Sequence, residues 1–194
     1  MKKLLILLAA VPLFSFGQIA RDSVYVKTDI YETMYSETLE QPLWVKYQVA
    51  CTDGKAPRKG MDFYTDKKIH TSDANDYANN VYDKGHCAPA ADFNCTKEML
   101  FKTFSYLNCT LQNEKLNRVQ WRLLENYERD LAITEGPVKV EIKIVFDKNP
   151  RRVDAGAAIP TAFYKIITTK SRKITYYFKN EPPTKPTFAD YKIN

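Results

Sequence analysis

The chain is poor in the residues that build zinc centres. Its 194 residues hold two histidines and four cysteines. His70 and His86 lie sixteen positions apart, and no C-x-x-C spacing occurs, so a structural zinc site finds no support. Beyond residue 17 no run of eighteen apolar residues appears. That argues against a membrane-spanning helix and predicts a soluble mature protein without a membrane partner. Internal repeats and low-complexity tracts are also missing, and only the proline-rich stretch from Glu181 to Pro186 has the look of a linker.

The residues that are present begin with a leader. Lys2 and Lys3 precede an apolar run from Leu4 to Phe16, and Ser15-Phe16-Gly17 supplies small residues where a signal peptidase reads. The run is too short for a membrane span. The expectation is a secretory signal peptide over 1–17, one domain over 18–194, and an exported protein, secreted or periplasmic. Gln18 stands where a lipid-anchored protein would need cysteine. Removing residues 1–17 lowers Lys plus Arg from 29 to 27 against 23 acidic residues. This modest basic excess is compatible with a polyanionic substrate without identifying one. Cys51, Cys87, Cys95 and Cys109, in an exported chain, read as two disulfides in preference to metal ligands, with three pairings open and free core thiols as the alternative.

Strand-like alternation marks Leu43 to Val49, Val138 to Phe146, Ala158 to Thr168 and Lys173 to Lys179, and Phe104 to Cys109 also reads as a strand. Thr52 to Gly60 is a Gly/Pro/Lys loop, Asp66 to Asn80 is polar and irregular, and Met99 to Thr103 forms a short helix or turn. The clearest helix runs from Glu114 to Leu131, with Leu116, Val119, Leu123 and Tyr127 at helical spacing. Gly136-Pro137 then breaks the chain before the next strand. Strands around a few helices without a βαβ rhythm predict an α+β fold.

The most informative stretch is Tyr82-Asp83-Lys84-Gly85-His86-Cys87-Ala88-Pro89-Ala90-Ala91-Asp92-Phe93. After it come Asn108-Cys109-Thr110-Leu111-Gln112 and then Leu116-Asn117-Arg118-Val119-Gln120-Trp121. These segments resemble the D-R-G-H-x-A-P, N-x-x-P-Q and L-N-x-G-x-W motifs of the DNA/RNA non-specific endonuclease family. Its members are the ββα-metal (His-Me finger) nucleases, endonuclease G-like. The resemblance runs from about Trp44 to the C-terminus. It implies a central, mostly antiparallel sheet flanked by helices, and a metal-dependent enzyme that cuts DNA and RNA with little sequence preference.

The chemistry suits these residue types. Phosphodiester hydrolysis needs an activated water, a cation against the charge at phosphorus, and a proton for the leaving oxygen. A neutral imidazole can serve the first need, and one hard divalent ion the others. Magnesium prefers oxygen ligands and keeps most of its waters, so a lone amide oxygen can anchor it.

By resemblance His86 matches the general base, Asn117 the ligand of Mg2+ (with Mn2+ as a substitute), and Asn108 a support of the site. Glu125 matches a glutamate acting through a water of the ion, and Arg129 an arginine at the phosphate. Glu125 and Arg129 also stand at i,i+4, which on its own reads as a surface ion pair. Arg58, in the loop Ala56-Pro57-Arg58-Lys59-Gly60, falls where relatives carry a phosphate-contacting arginine, with Lys59 as the other candidate. Asp83 is expected to hold the strand bearing His86, and Lys165 to be structural. DNA and RNA are the implied partners, through phosphate contacts. A Cys87–Cys109 disulfide is the favoured pairing because each cysteine comes directly after a motif residue of the same metal site; Cys51–Cys95 would remain.

Three positions depart from the motifs. Lys84 replaces arginine, and the two differ wherever a bidentate fork is needed. Leu111 stands where proline is usual, and Val119 where a glycine could let the helix approach another backbone. The chain also ends at Asn194, short of a C-terminal segment of many relatives. These departures leave an alternative open: a catalytically weakened family member that binds nucleic acid without efficient cleavage.

Overall fold

Alternating side chains in the C-terminal half build the wall on which everything else packs. In the computed structural model, which describes residues 22–194, the strand Lys139–Val145 turns Val140, Ile142 and Ile144 to one side. Ala162–Thr168 does the same with Phe163, Lys165 and Ile167, and Lys173–Lys179 with Ile174, Tyr176 and Phe178. A period of two with one apolar face is what a sheet covered on one side requires. We number the strands β1 (Val24–Lys27), β2 (Tyr31–Ser36), β3 (Gln41–Gln48), β4 (Tyr82–His86), β5 (Cys109–Asn113), β6 (Lys139–Val145), β7 (Ala162–Thr168) and β8 (Lys173–Lys179).

Six of them form one sheet in the order β1-β2-β3-β6-β7-β8, every neighbouring pair antiparallel. The α+β architecture expected from the sequence is present. β1 and β2 were not foreseen. They are an edge meander whose outer member alternates half-buried and exposed residues, so they carry little apolar signal. The expected leader lies outside the described residues, and among those no helix is long and apolar enough to cross a membrane.

β4 and β5 form a separate antiparallel ladder with His86 opposite Cys109, Gly85 opposite Thr110 and Asp83 opposite Gln112. The connection between them carries the short helix α1 (Lys97–Lys102), capped by Thr96 Oγ1 accepting from Met99 N. Phe104 to Cys109 is not the strand that its apolar content suggested. Tyr106–Asn108 is a 3₁₀ turn capped by Ser105, and pairing starts at Cys109.

The chain leaves β5 directly into helix. Asn113 Oδ1 accepts from Lys115 N at 3.1 Å and Leu116 N at 3.4 Å, supplying the N-cap. Helix continues through α2 (Glu114–Leu116), a π-helical segment (Asn117–Trp121) and α3 (Arg122–Glu135).

The π segment corrects the expected inward face. Its wider turn rotates α3 relative to the course of a plain 3.6-residue helix. Leu116, Gln120, Trp121, Leu124, Glu128 and Leu131 are buried, whereas Val119 and Leu123 are exposed, 46% and 38%. Trp121 packs edge-on against Phe163 at 5.5 Å and Phe178 at 5.7 Å, which fastens the helix to β7 and β8. Lys165 has the structural place expected for it. It is fully buried with its Nζ 2.7 Å from Glu128 Oε1 and 4.4 Å from the Trp121 ring, and Tyr47 donates to Glu128 Oε2 at 2.6 Å.

Of the two expected disulfides, Cys51–Cys95 is present and the favoured Cys87–Cys109 is corrected. Cys51 and Cys95 are joined, while Cys87 and Cys109 are free and buried. Cys109 stands opposite His86 in the ladder, so Cys87, one residue on, projects to the other face. Cys87 joins the sheet-side core, and Cys109 donates to Tyr77 Oη at 3.2 Å.

Candidate active site on the β4–β5–helix unit

The end of β4 presents His86 between two rings, Phe63 at 4.7 Å and Phe104 edge-on at 4.9 Å. Its Nε2 is buried without a hydrogen-bond partner. Burial, helped by the positive charge of Arg58, pushes the imidazole down to about 3, so it is neutral across the ordinary range. Gly85 before it is a packing necessity. A Cβ there would lie 2.6 Å from both Cβ and Oε1 of Gln112 and 3.2 Å from the Thr110 carbonyl.

Asn108 is fully buried and fully engaged. Its Oδ1 accepts from Ala88 N at 2.8 Å, and its Nδ2 donates to the carbonyls of Ala88 at 2.9 Å and Thr103 at 3.0 Å. It clamps the backbone that leaves His86, with both its amide atoms engaged.

Asn117 sits at the start of the π segment, half-buried. Its Nδ2 donates to Asp83 Oδ2 at 2.9 Å, which leaves Oδ1 without a hydrogen bond among the described residues. Asp83 simultaneously takes a two-pronged contact from Arg118, Nε to Oδ2 at 2.9 Å and Nη2 to Oδ1 at 2.6 Å. Asp83 therefore does more than hold its own strand. It ties β4 to the helix and sets which end of the Asn117 amide is offered, since an amide nitrogen fixed on a carboxylate turns its oxygen away.

Two turns further along, Glu125 is raised to about 7, chiefly by burial, with the charges of Lys165, Glu128, Arg129 and Arg58 acting on it. The i,i+4 ion pair with Arg129 does not form. Arg129 instead directs Nη1 to Asp92 Oδ1 at 2.5 Å and Nη2 to Asn126. Asp92 is fully buried; burial and the charges of Glu128 and Glu125 raise its carboxyl while Arg129 opposes them. Arg58 is exposed and makes no ion pair among the described residues, yet its charge bears on both His86 and Glu125. The fold thus gathers Arg58, His86, Glu125 and Arg129 into one electrostatic neighbourhood, with Asn117 joined to it through Asp83. Lys59 shows no such link.

The donors fit a hard, hydrated cation. Among the described residues the one cluster of three His, Cys or carboxylate groups within ligand reach is Cys51, Asp53 and Cys95, and its two cysteines are spent in the disulfide. Beyond that cluster stands a single oriented amide oxygen with a half-buried glutamate two turns further along the helix, a donor set that suits magnesium, an ion that keeps most of its waters.

Three partners of the site were not anticipated. Asp92 holds Arg129, and its place six residues after His86 was the available signal. Phe63 and Phe104 flank His86 from segments with no motif at all. The departures prove mild. Leu111 N donates to Gln41 Oε1 at 3.0 Å, a bond proline could not make. Val119 is at the surface and disturbs no packing. Lys84 lies 3.3 Å from Asp62 and beside the rings of Phe63 and Tyr106.

The chain is similar to known proteins. The family model described as DNA/RNA non-specific endonuclease matches residues 12–194. "Nuclease EXOG, mitochondrial" of Danio rerio is 30% identical over 149 residues, covering 69% of this chain and 43% of that protein. "Nuclease" of Nostoc sp. is 26% identical over 190 residues, covering 89% of this chain and 69% of its own length. The solved structure of an EndoG/EndoGI complex superposes with a TM-score of 0.75 at 23% identity, over 88% of this chain and 80% of that one, and shows the shared fold. The chain spans less than half the length of the first mitochondrial relatives it matches.

Proposed function

We propose that this chain, which belongs to the DNA/RNA non-specific endonuclease family, is an exported, metal-dependent endonuclease that hydrolyses phosphodiester bonds of DNA and RNA with little sequence preference. The observation that carries the reading is the pairing of two free acceptors on one unit: the neutral, unpartnered His86 Nε2 and the Asn117 Oδ1 that Asp83 leaves free.

His86 takes a proton from the attacking water as the new bond to phosphorus forms. Its flanking rings and the Asn108 clamp hold it in place. Asn117, with Glu125 behind it, would hold Mg2+ or Mn2+, which when bound offsets charge at phosphorus and acidifies a water that can protonate the leaving oxygen. A neutral amide does this without cancelling the ion's charge. Arg129, steadied by Asp92, and Arg58 face the phosphate oxygens, contacts that carry no base information.

Export is supported by the leader over 1–17 and by the Cys51–Cys95 disulfide, which suits an oxidising compartment. The test is incubation of plasmid DNA and of RNA with the mature protein and Mg2+ or Mn2+, with and without chelator. Cleavage of both substrates that chelator stops is expected; binding without cleavage would favour the weakened-relative reading.

A further inference from the structure

One short segment, Asp92–Cys95, binds Arg129 and fastens the loop that carries Arg58, the two arginines placed at the phosphate. The Asp92 carboxylate receives Arg129. The same segment fastens the Arg58 loop: Ala50 N donates to the Asp92 carbonyl at 3.3 Å, Ala56 N to the Asn94 carbonyl at 2.9 Å, and Asn94 Nδ2 to the Gly54 carbonyl at 2.9 Å. The Cys51–Cys95 bond makes this junction covalent. The approach is as close as glycine allows, since a Cβ on Gly54 would lie 2.3 Å from Asn94 Oδ1 and 2.4 Å from its carbonyl.

Arg58 depends on such an anchor. It sits in a stretch without helix or strand, is exposed, and its guanidinium has no protein partner among the described residues. Its charge still reaches His86 and Glu125. Nothing in the side chain's own contacts holds it there, so its place comes from where the loop is fastened.

We infer that the Cys51–Cys95 disulfide positions Arg58, fixing its loop to the segment that orients Arg129, so that the full grip on substrate phosphate exists only in the oxidised chain. This rests on the reading of Arg58 as a phosphate contact. The bond forms when the two thiols pass two electrons and two protons to a disulfide oxidant, which leaves as two thiols; a dithiol reductant reverses the exchange. Cys95 is the exposed member of the pair. In a reducing cytosol the bond is open, so the grip on polyanions is weakest inside the producing cell and strengthens on export.

The test compares steady-state cleavage of plasmid DNA at saturating Mg2+ by oxidised protein, dithiothreitol-treated protein and the Cys51→Ser, Cys95→Ser double variant. KM should rise about three- to tenfold on opening the bond, the scale of a weakened charge-assisted contact, with kcat kept within about twofold. Gly54→Ala, which pushes the loop off Asn94 and leaves the cysteines alone, should raise KM similarly in oxidised protein. This variant decides the matter should reduction abolish cooperative melting. In Arg58→Ala, KM is already high and reduction should add nothing. An unchanged KM on reduction and in Gly54→Ala, or a reduction effect undiminished in Arg58→Ala, overturns the inference. Wild-type KM in oxidised Arg58→Ala would instead remove the phosphate role of Arg58, and the inference with it.

Discussion

The six-stranded sheet and the β4–β5–helix unit treat buried polar atoms in opposite ways. Of the buried side-chain polar atoms without a hydrogen bond among the described residues, the sheet contributes Lys165 Nζ alone, and that ammonium is ion-paired with Glu128. The other unit, with its helix and flanking segments, leaves His86 Nε2, both amide atoms of Gln112, Gln120 Oε1, Trp121 Nε1, Asn94 Oδ1 and Asp92 Oδ2 unpartnered, besides Glu128 Oε1 of that ion pair. Unpaired buried groups cost folding free energy, so a fold retains them where something other than stability is at stake. The sheet is the better satisfied of the two, and the candidate site lies where unpaired groups gather.

Mutation should separate the two regions, with the largest effect at His86. His86→Ala should lower turnover by about 10²–10⁴-fold, the usual worth of a general base, while the melting temperature stays near wild type. Single-turnover kinetics beside a thermal melt decides it; turnover within twofold of wild type would remove His86 from the mechanism.

On the sheet side the expected loss is in stability. Lys165→Ala strands Glu128 in the core and should cost about 3–5 kcal/mol. The paired change Lys165→Met with Glu128→Leu should recover most of it. By contrast Arg118→Ala breaks a largely exposed contact, worth about 0–1 kcal/mol. Urea unfolding of the three variants tests the ranking.

At Asn117 the effect should be smaller and of a different kind. Asn113, rather than Asn117, caps the helix, so Asn113→Ala should cost about 1 kcal/mol and leave metal dependence alone. Asn117→Ala should raise the magnesium concentration needed for half-maximal activity at nearly unchanged stability. An unchanged metal midpoint with a lowered melting temperature would contradict the ligand role.

A further effect concerns pH. His86 is depressed from 6.5 to about 3 in the folded chain, so below about 6.5 the unfolded chain takes up a proton that the folded one refuses. The stability tied to this site is complete above about 6.5 and drains away as pH falls toward about 3. His86→Ala should flatten the acid side of the melting curve against pH, and a difference between the two proteins that does not vary over that range would refute it.

Much of the site was legible because the motif residues act within one short supersecondary unit. Asp83, His86, Asn108 and Asn117 lie on β4, on the turn before β5 and on the helix after it, so local pairing brings them together. Arg129 was legible as a candidate residue, but its partner was not. Helical spacing offers it Glu125, but the buried Asp92 on another segment binds it instead. The helix face was misjudged at Val119 and Leu123 because the π segment rephases α3, and an apolar period does not reveal a single wide turn. β1 escaped notice because an edge strand needs only one half-covered face, and β2 because its buried face is made of Tyr31, Thr33 and Tyr35, which carry polar atoms.

By itself the sequence determined the α+β class, the run of sheet strands from alternation, and the residue types of the site, because these depend on side-chain chemistry and on neighbours a few positions away. Tertiary structure alone decided that Cys51 joins Cys95 while Cys87 and Cys109 stay apart. It also decided that Phe63 and Phe104 close around His86, and that Asp83 turns the Asn117 amide. Each of these depends on where distant backbone segments meet and which face a residue presents there, and on that point a linear pattern carries no information.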